Sequence, residues 1–173
     1  MRNFLVGVIV FLVVLLCIWV QQNIINVIPL FGAVANVGII LVVTLGLITE
    51  QKIGATVGGV YGLLMDILFG KAVGVYALLF FAIGFFCGKI GHGFSKENKS
   101  SVIMIVILVT IIYEIVNYLL FVMIYKYDFE LLASGWTIVL ECIYNIFLTA
   151  ILFKPLSFLG EIINKGKSSY YLL

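Results

Sequence analysis

The stretch GATVGGVYGLLMDILFGKAVGVYAL, residues 54–78, decides the fold, because a strongly apolar segment carries small residues at a fixed spacing. The row of residues four apart consists of Gly54, Gly58, Gly62, Asp66, Gly70 and Gly74. Residues four apart lie on one face of a helix. In a lipid environment, glycine on such a face allows two helix backbones to approach closely. The row therefore predicts a helix that packs tightly against a neighbouring helix or a partner, with Gly70 and Gly74 in the turn that follows it.

The composition indicates a membrane protein. Of the 173 residues, 64% are hydrophobic and 10% are charged, whereas soluble domains are about 45–50% apolar and about 25% charged. Arg2 precedes a first apolar run, Phe4–Val20, and no small-residue cleavage site follows it in CIWVQQNII. We therefore expect this run to be a retained membrane helix and not a cleaved signal peptide.

Apolar segments of membrane-spanning length recur along the chain. The six predicted segments are Phe4–Val20, Leu30–Thr49, Ile53–Phe69, Val75–Ile90, Val102–Tyr125 and Trp136–Phe153. They do not alternate apolar and polar residues as the strands of a membrane β-barrel do. The pattern predicts an all-α membrane protein, a six-transmembrane-helix bundle that forms a single domain over residues 1–160. Residues 21–36 remain open to two interpretations, an outer loop or a re-entrant segment shielded by protein.

The basic residues are distributed unequally between the two sides of the predicted bundle. One side holds eight of them, and the other holds two. The larger set is Arg2, Lys52, Lys89, Lys96, Lys99, Lys154, Lys165 and Lys167, and the smaller set is Lys71 and Lys126. The positive-inside rule then predicts that both termini are cytoplasmic. Residues 161–173 would form a cytoplasmic tail, and the stretch KPLSFLGEIINKGK would be either a short interfacial helix or a frayed end.

Acidic residues inside apolar helices are costly and need partners. Asp66 lies near the predicted outer end of its helix, as a packing or partner-contact residue or as a turn-forming carboxylate wetted at the interface; Lys71 is the nearest candidate partner in sequence. The fifth and sixth segments each carry a Glu–Asn pair on one face. These pairs are Glu114 with Asn117 and Glu141 with Asn145. They would form either buried polar clamps between helices or part of a proton or ion relay. We expect Glu141 at the depth of Asp66 and Glu114 deeper in the bundle.

The sequence lacks recognisable catalytic and ligand-binding motifs. It contains no glycine-rich phosphate loop, no HExxH and no GxSxG. The three cysteines have no metal-ligand spacing, and the only histidine, His92, stands in a polar loop. We therefore expect no enzyme activity, no cofactor, no metal site and no nucleic-acid partner.

The stretch at residues 54–78 also resembles the signature region of the rod shape-determining protein MreD family. The pattern GxxxGxxxGLLxDxxxGxxxGxxAL is met by Gly54, Gly58, Gly62, Leu63, Leu64, Asp66, Gly70, Gly74, Ala77 and Leu78. The resemblance implies a multi-pass protein of the bacterial inner membrane in the cell-elongation machinery. Its implied partners are an MreC-like bitopic protein and, indirectly, the MreB filament and a complex of a RodA-type polymerase with a transpeptidase. The resemblance also implies a fold similar to the S-components of energy-coupling-factor transporters.

Two functions follow from these observations. The glycine row and the lack of catalytic motifs favour a non-enzymatic membrane scaffold that binds the transmembrane helix of its partner. The alternative is the substrate-binding S-component of a small-molecule (vitamin) transporter. In that alternative an outward-facing pocket would be lined by Asp66, Glu114, Asn117, Glu141 and Asn145.

Overall fold

The computed structural model describes residues 2–29, 31–70, 73–91, 99–125 and 131–168. These residues form six α-helices: α1 Arg2–Val20, α2 Val37–Ile48, α3 Gln51–Phe69, α4 Val75–Gly91, α5 Lys99–Tyr125 and α6 Leu131–Ser168. A π-helical segment, Gln21–Ile25, continues directly from α1. The prediction of an all-α membrane protein with six helices is thus confirmed.

Four stretches of helix are long and apolar enough to cross a membrane. They are Phe4–Ile25, Gln51–Phe69, Lys99–Leu120 and Gly135–Asn164. Two shorter apolar helices, Val37–Ile48 and Val75–Gly91, lie with them in the bundle. The hydrocarbon core of a bilayer is about 30 Å thick and needs roughly 20 helical residues. The long helices therefore set the span, and the short ones are held by their neighbours.

Helix α2 is the centre of the bundle, and it is shorter than the predicted segment Leu30–Thr49. It contains 12 residues, and every one of them is buried. At about 1.5 Å per residue such a helix is roughly 18 Å long, so it does not cross the hydrocarbon core by itself. Asn36 is the N-cap residue of α2. Its side chain accepts a hydrogen bond from the Ile39 N–H at 3.2 Å. An apolar run extending through Ala33 and Val34 concealed this start.

The connection between α1 and α2 folds against the bundle. The side-chain nitrogen of Gln21 donates to the Ala35 carbonyl at 3.0 Å, and its side-chain oxygen accepts from the Val37 N–H at 2.8 Å. Ala35 is fully buried. A non-helical backbone at membrane depth needs this kind of cover by protein. Of the two interpretations of residues 21–36, the structure favours a shielded segment for the part that leads into α2.

Helix α6 passes through the predicted boundary at residue 160. It continues to Ser168 and contains Pro155. Leu156, Leu159 and Ile163 belong to the hydrophobic core, and the Asn164 side chain donates to the Ile48 carbonyl at 3.0 Å. Most of the stretch KPLSFLGEIINKGK is thus part of a long helix packed on the end of α2. Residues 169–173 lie outside the described residues.

Candidate functional site

The glycine row of α3 faces the backbone of α4. A Cβ atom built on Gly54 would lie 2.5 Å from the Gly84 carbonyl oxygen. The same atom on Gly58 would collide with the Phe80 carbonyl, and on Gly62 with the Tyr76 carbonyl. Helices α3 and α4 form the most extensive helix pair in the described part of the chain. The row therefore lets two helix backbones touch where any side chain would separate them.

Helix α4 contributes glycines of its own to this contact. A Cβ atom on Gly84 would collide with the Gly54 carbonyl, and one on Gly88 with the backbone of Gln51. These two residues were not among the predicted packing residues, although their spacing, four apart in GFFCG, is the same signal that marked α3. Because α4 covers the row, a partner helix must bind another face of α3.

Asp66 holds the turn between α3 and α4. Its carboxylate accepts hydrogen bonds from three backbone N–H groups, those of Gly74 at 2.9 Å, Tyr76 at 3.0 Å and Ala77 at 2.9 Å. These groups belong to the start of α4, where N–H groups lack partners within the helix and where the helix dipole favours a negative charge. Asp66 is only 2% exposed. One hypothesis was that water at the membrane interface solvates Asp66. The structure instead gives its carboxylate backbone N–H donors. Lys71 lies outside the described residues.

The two glycines after Asp66 complete this turn. Gly74 has a φ of +105°, a conformation that a residue with a side chain rarely adopts. The Gly70 N–H donates to the Asp66 carbonyl at 3.0 Å and so ends α3. The last three members of the row therefore build a helix turn, and the first three pack helices.

The glutamates of the two Glu–Asn pairs meet between α5 and α6. The Glu114 and Glu141 carboxyl groups are hydrogen-bonded to each other, and Glu141 is also bonded to Asn145. The Asn145 side chain donates to Thr110 Oγ1 at 2.9 Å and accepts from the Asn36 N–H at 2.8 Å. Asn145 thus ties α6 both to α5 and to the start of α2.

The Glu114–Glu141 contact corrects one expectation. We expected Glu114 to lie deeper than Glu141, but a direct hydrogen bond puts both carboxyl groups at one depth. Helix α5 ends at Tyr125, as the predicted segment does, so counting residues along one helix did not determine how deep Glu114 lies relative to a residue of α6. Asn117 does not complete a clamp in the described part of the chain, because its Oδ1 atom is buried there without a hydrogen-bond partner.

Two cavities accompany these packing features. The first is an apolar groove of about 470 Å³ between α1 and α3. The second is a polar cavity of about 420 Å³, which is lined by the α1–α2 connection, α5 and α6 and includes Glu114, Asn117, Thr137 and Glu141. Asp66 and Asn145 do not line it. Among the described residues, no group of three or more His, Cys, Asp or Glu side chains is placed to hold a metal ion.

The bundle has apolar spans, close backbone contacts at glycine, and polar groups whose hydrogen bonds hold the helices together. These features define a multi-pass membrane protein. Residues 1–159 match the family model of the rod shape-determining protein MreD. The chain therefore belongs to the MreD family, which confirms the resemblance in residues 54–78 and gives the protein a role in rod shape determination as a member of the shape-determining complex. No curated protein and no solved structure matched the chain.

Proposed function

We propose that this protein is a non-enzymatic scaffold of the cell-wall elongation complex, which binds the transmembrane helix of an MreC-like bitopic partner. Family membership supports the setting. The observation that carries the proposal is the apolar groove between α1 and α3. The commitment of Asp66 and Asn145 to backbone hydrogen bonds also supports a scaffold, because these polar groups hold helices in place.

The groove has the mainly apolar lining that a transmembrane helix needs. Its walls include Gly7, Val10 and Val14 from α1 and Thr56, Val57 and Val60 from α3. A Cβ atom on Gly7 would meet no atom within 4 Å. Transmembrane helices associate through close van der Waals contact at small residues. Gly7 and Thr56 supply small residues on opposite walls, and the protein's own helices leave Gly7 uncovered.

Site-specific crosslinking tests the groove. A photo-crosslinking amino acid at Gly7 should form an adduct with the MreC-like partner in native membranes. Leu12 is the matched control, because it lies on the same helix, is 58% exposed and does not line the groove. An adduct at position 12 equal to that at position 7, or an adduct only with a second copy of this chain, would contradict the proposal.

A steric variant tests the same contact without a crosslinker. Gly7→Leu would fill the groove, and the space around Gly7 leaves room for the new side chain within this chain's own fold. We expect the affinity for the partner to fall at least about tenfold, which corresponds to about 1.4 kcal/mol of binding free energy, and reduced co-purification reports this loss. Leu12→Phe should leave co-purification unchanged. The elution profile of each purified variant shows whether the bundle itself is intact.

The proposal includes a location and an orientation. Both termini would be cytoplasmic in the bacterial inner membrane, since the basic residues gather at the ends where α1 and α5 begin and α6 ends. Through its partner, the scaffold would act indirectly on the MreB filament and on the RodA-type polymerase and its transpeptidase. Reporter fusions at residues 1 and 173 test the orientation, and activity of a periplasm-specific reporter at either end would overturn it.

The transporter hypothesis retains one supporting observation. Three of its five proposed pocket residues, Glu114, Asn117 and Glu141, line the polar cavity. The other two do not, because Asp66 holds the α3–α4 turn and Asn145 bonds to Asn36 and Thr110. Family membership favours the scaffold. Co-purification of ATPase subunits in place of wall-synthesis proteins would reverse this preference.

A further inference from the structure

We infer that the polar cavity lined by the α1–α2 connection, α5 and α6 binds a small organic cation that carries a primary ammonium group. The cavity shares no lining residue with the groove between α1 and α3, and the inference does not depend on the proposed partner helix. Its volume of about 420 Å³ falls in the range of roughly 300–1,000 Å³ that small-molecule sites occupy.

The wall formed by the α1–α2 connection is already hydrogen-bonded. Gln21 uses both ends of its side-chain amide, donating to Asn26 Oδ1 at 2.8 Å and to the Ala35 carbonyl, and accepting from the Val37 N–H. Asn36 Oδ1 accepts from the N–H of Ile39. These bonds fix the wall in position, so the cavity is formed before any ligand enters.

The opposite wall presents acceptors in excess. Two hydrogen-bonded carboxyl groups need one proton between them, since an ionised carboxylate only accepts. With a single proton the Glu114–Glu141 pair satisfies that contact, and in this state it carries one negative charge and several free lone pairs. Asn117 lines the same cavity, and its Oδ1 atom is buried with no hydrogen-bond partner in the described part of the chain.

Charge and hydrogen bonding together define the ligand. No lysine or arginine is among the residues that line the cavity within the described ranges. A negative charge in an apolar bundle is unfavourable unless a cation or water offsets it. A primary ammonium group has three donors and no acceptor, so it complements the carboxyl pair and the Asn117 oxygen at once. The volume leaves space for a short alkyl chain beside the ammonium group.

Ligand titration of the purified full-length chain tests this inference. Putrescine serves as the probe, and 1,4-butanediol serves as the matched control because it has the same carbon chain with hydroxyls in place of ammonium groups. Sodium chloride at equal ionic strength controls for screening. We expect saturable binding of putrescine by calorimetry and a rise in the thermal unfolding midpoint. Equal midpoint shifts with putrescine, butanediol and salt, or no saturable binding of putrescine, would overturn the inference.

Variants locate the binding. Glu114→Gln keeps the size of the side chain but removes its charge and replaces one acceptor oxygen with an N–H₂ donor, and we expect it to weaken putrescine binding by about tenfold or more. Glu161→Gln makes the same change at an exposed position of α6 and should leave binding unchanged. Asn117→Ala is a second variant that breaks no hydrogen bond of Oδ1, and we expect it to weaken binding by about fivefold. Unchanged affinity in both cavity variants would overturn the assignment.

Discussion

Replacing Gly58 with alanine should force α3 away from α4, whereas the same replacement at the adjacent Gly59 should not. A Cβ atom on Gly58 would collide with the Phe80 carbonyl oxygen, lying 2.7 Å from its carbonyl carbon and 3.1 Å from Val42 Cγ1. On Gly59 the nearest atom would be Phe81 Cδ2 at 3.5 Å, an ordinary contact. The two positions share one helix and one chemical change, and they differ only in what the new methyl group meets.

The expected magnitude follows from that difference. Alanine stabilises a helix relative to glycine by roughly 0.5–1 kcal/mol, and this gain applies to both variants and cancels between them. Normal contact begins at 3.4 Å, so the Phe80 carbonyl carbon must retreat by at least 3.4 − 2.7 = 0.7 Å. A backbone carbonyl cannot rotate aside as a side chain does. Overpacking typically costs about 1–3 kcal/mol, so we expect the Gly58→Ala protein to be about 1–3 kcal/mol less stable than the Gly59→Ala protein.

Equilibrium unfolding of the full chain in mixed detergent micelles, monitored by circular dichroism, measures this difference in unfolding free energy. The unfolding free energy of each variant is compared with that of the original protein under the same detergent titration. If Gly58→Ala unfolds at the same denaturing-detergent fraction as Gly59→Ala, within about 0.5 kcal/mol, then α3 and α4 do not approach as closely as the structure shows. Glycine at position 58 would then not be what permits their contact.

Two further substitutions test the hydrogen bonds that fix the helix ends. Asp66→Asn should lower the unfolding free energy by about 2–4 kcal/mol, because the amide loses the charge at the start of α4 and turns an N–H₂ group toward one of three backbone donors. Hydrogen exchange of the Tyr76 amide should accelerate, and equal protection in both proteins would count against this role. Asn145→Leu should cost about 1–3 kcal/mol, because the half-buried Asn36 N–H loses its acceptor. Faster exchange of the Asn36 amide reports that loss, and Phe147→Leu, which changes an exposed side chain on the same helix, should have little effect on that exchange.

The sequence predicted the helices better than their lengths. Apolar runs identified six segments, because every backbone polar group in lipid must be bonded within the segment and helices achieve this. Hydropathy did not show that α2 begins at Val37, since an apolar chain covered by protein and an apolar helix have the same composition. The signals that mark the start are Gly32, with a φ of +88°, and the capping residue Asn36.

The sequence identified many residues of the candidate site, but it did not identify the residues that they contact. Four-residue spacing identified a close-packed face on α3, yet spacing defines a face and not the helix that covers it. The Gly84–Gly88 step of α4 completes that contact. Likewise, Glu114 and Glu141 were expected to need partners, but only the fold shows that they bond to each other. Contacts between residues far apart in sequence depend on how the helices pack, which periodicity does not specify.

The shortness of α2 has a consequence for biogenesis. A 12-residue helix that is buried on all sides cannot enter the bilayer as an independent unit, because its ends would leave backbone groups in hydrocarbon without water. During synthesis it emerges before the helices α3, α4, α5 and α6 that enclose it. The insertion machinery must therefore retain this segment, or shelter it at the interface, until later helices arrive. Helix α2 is therefore translated before most of the helices that bury it.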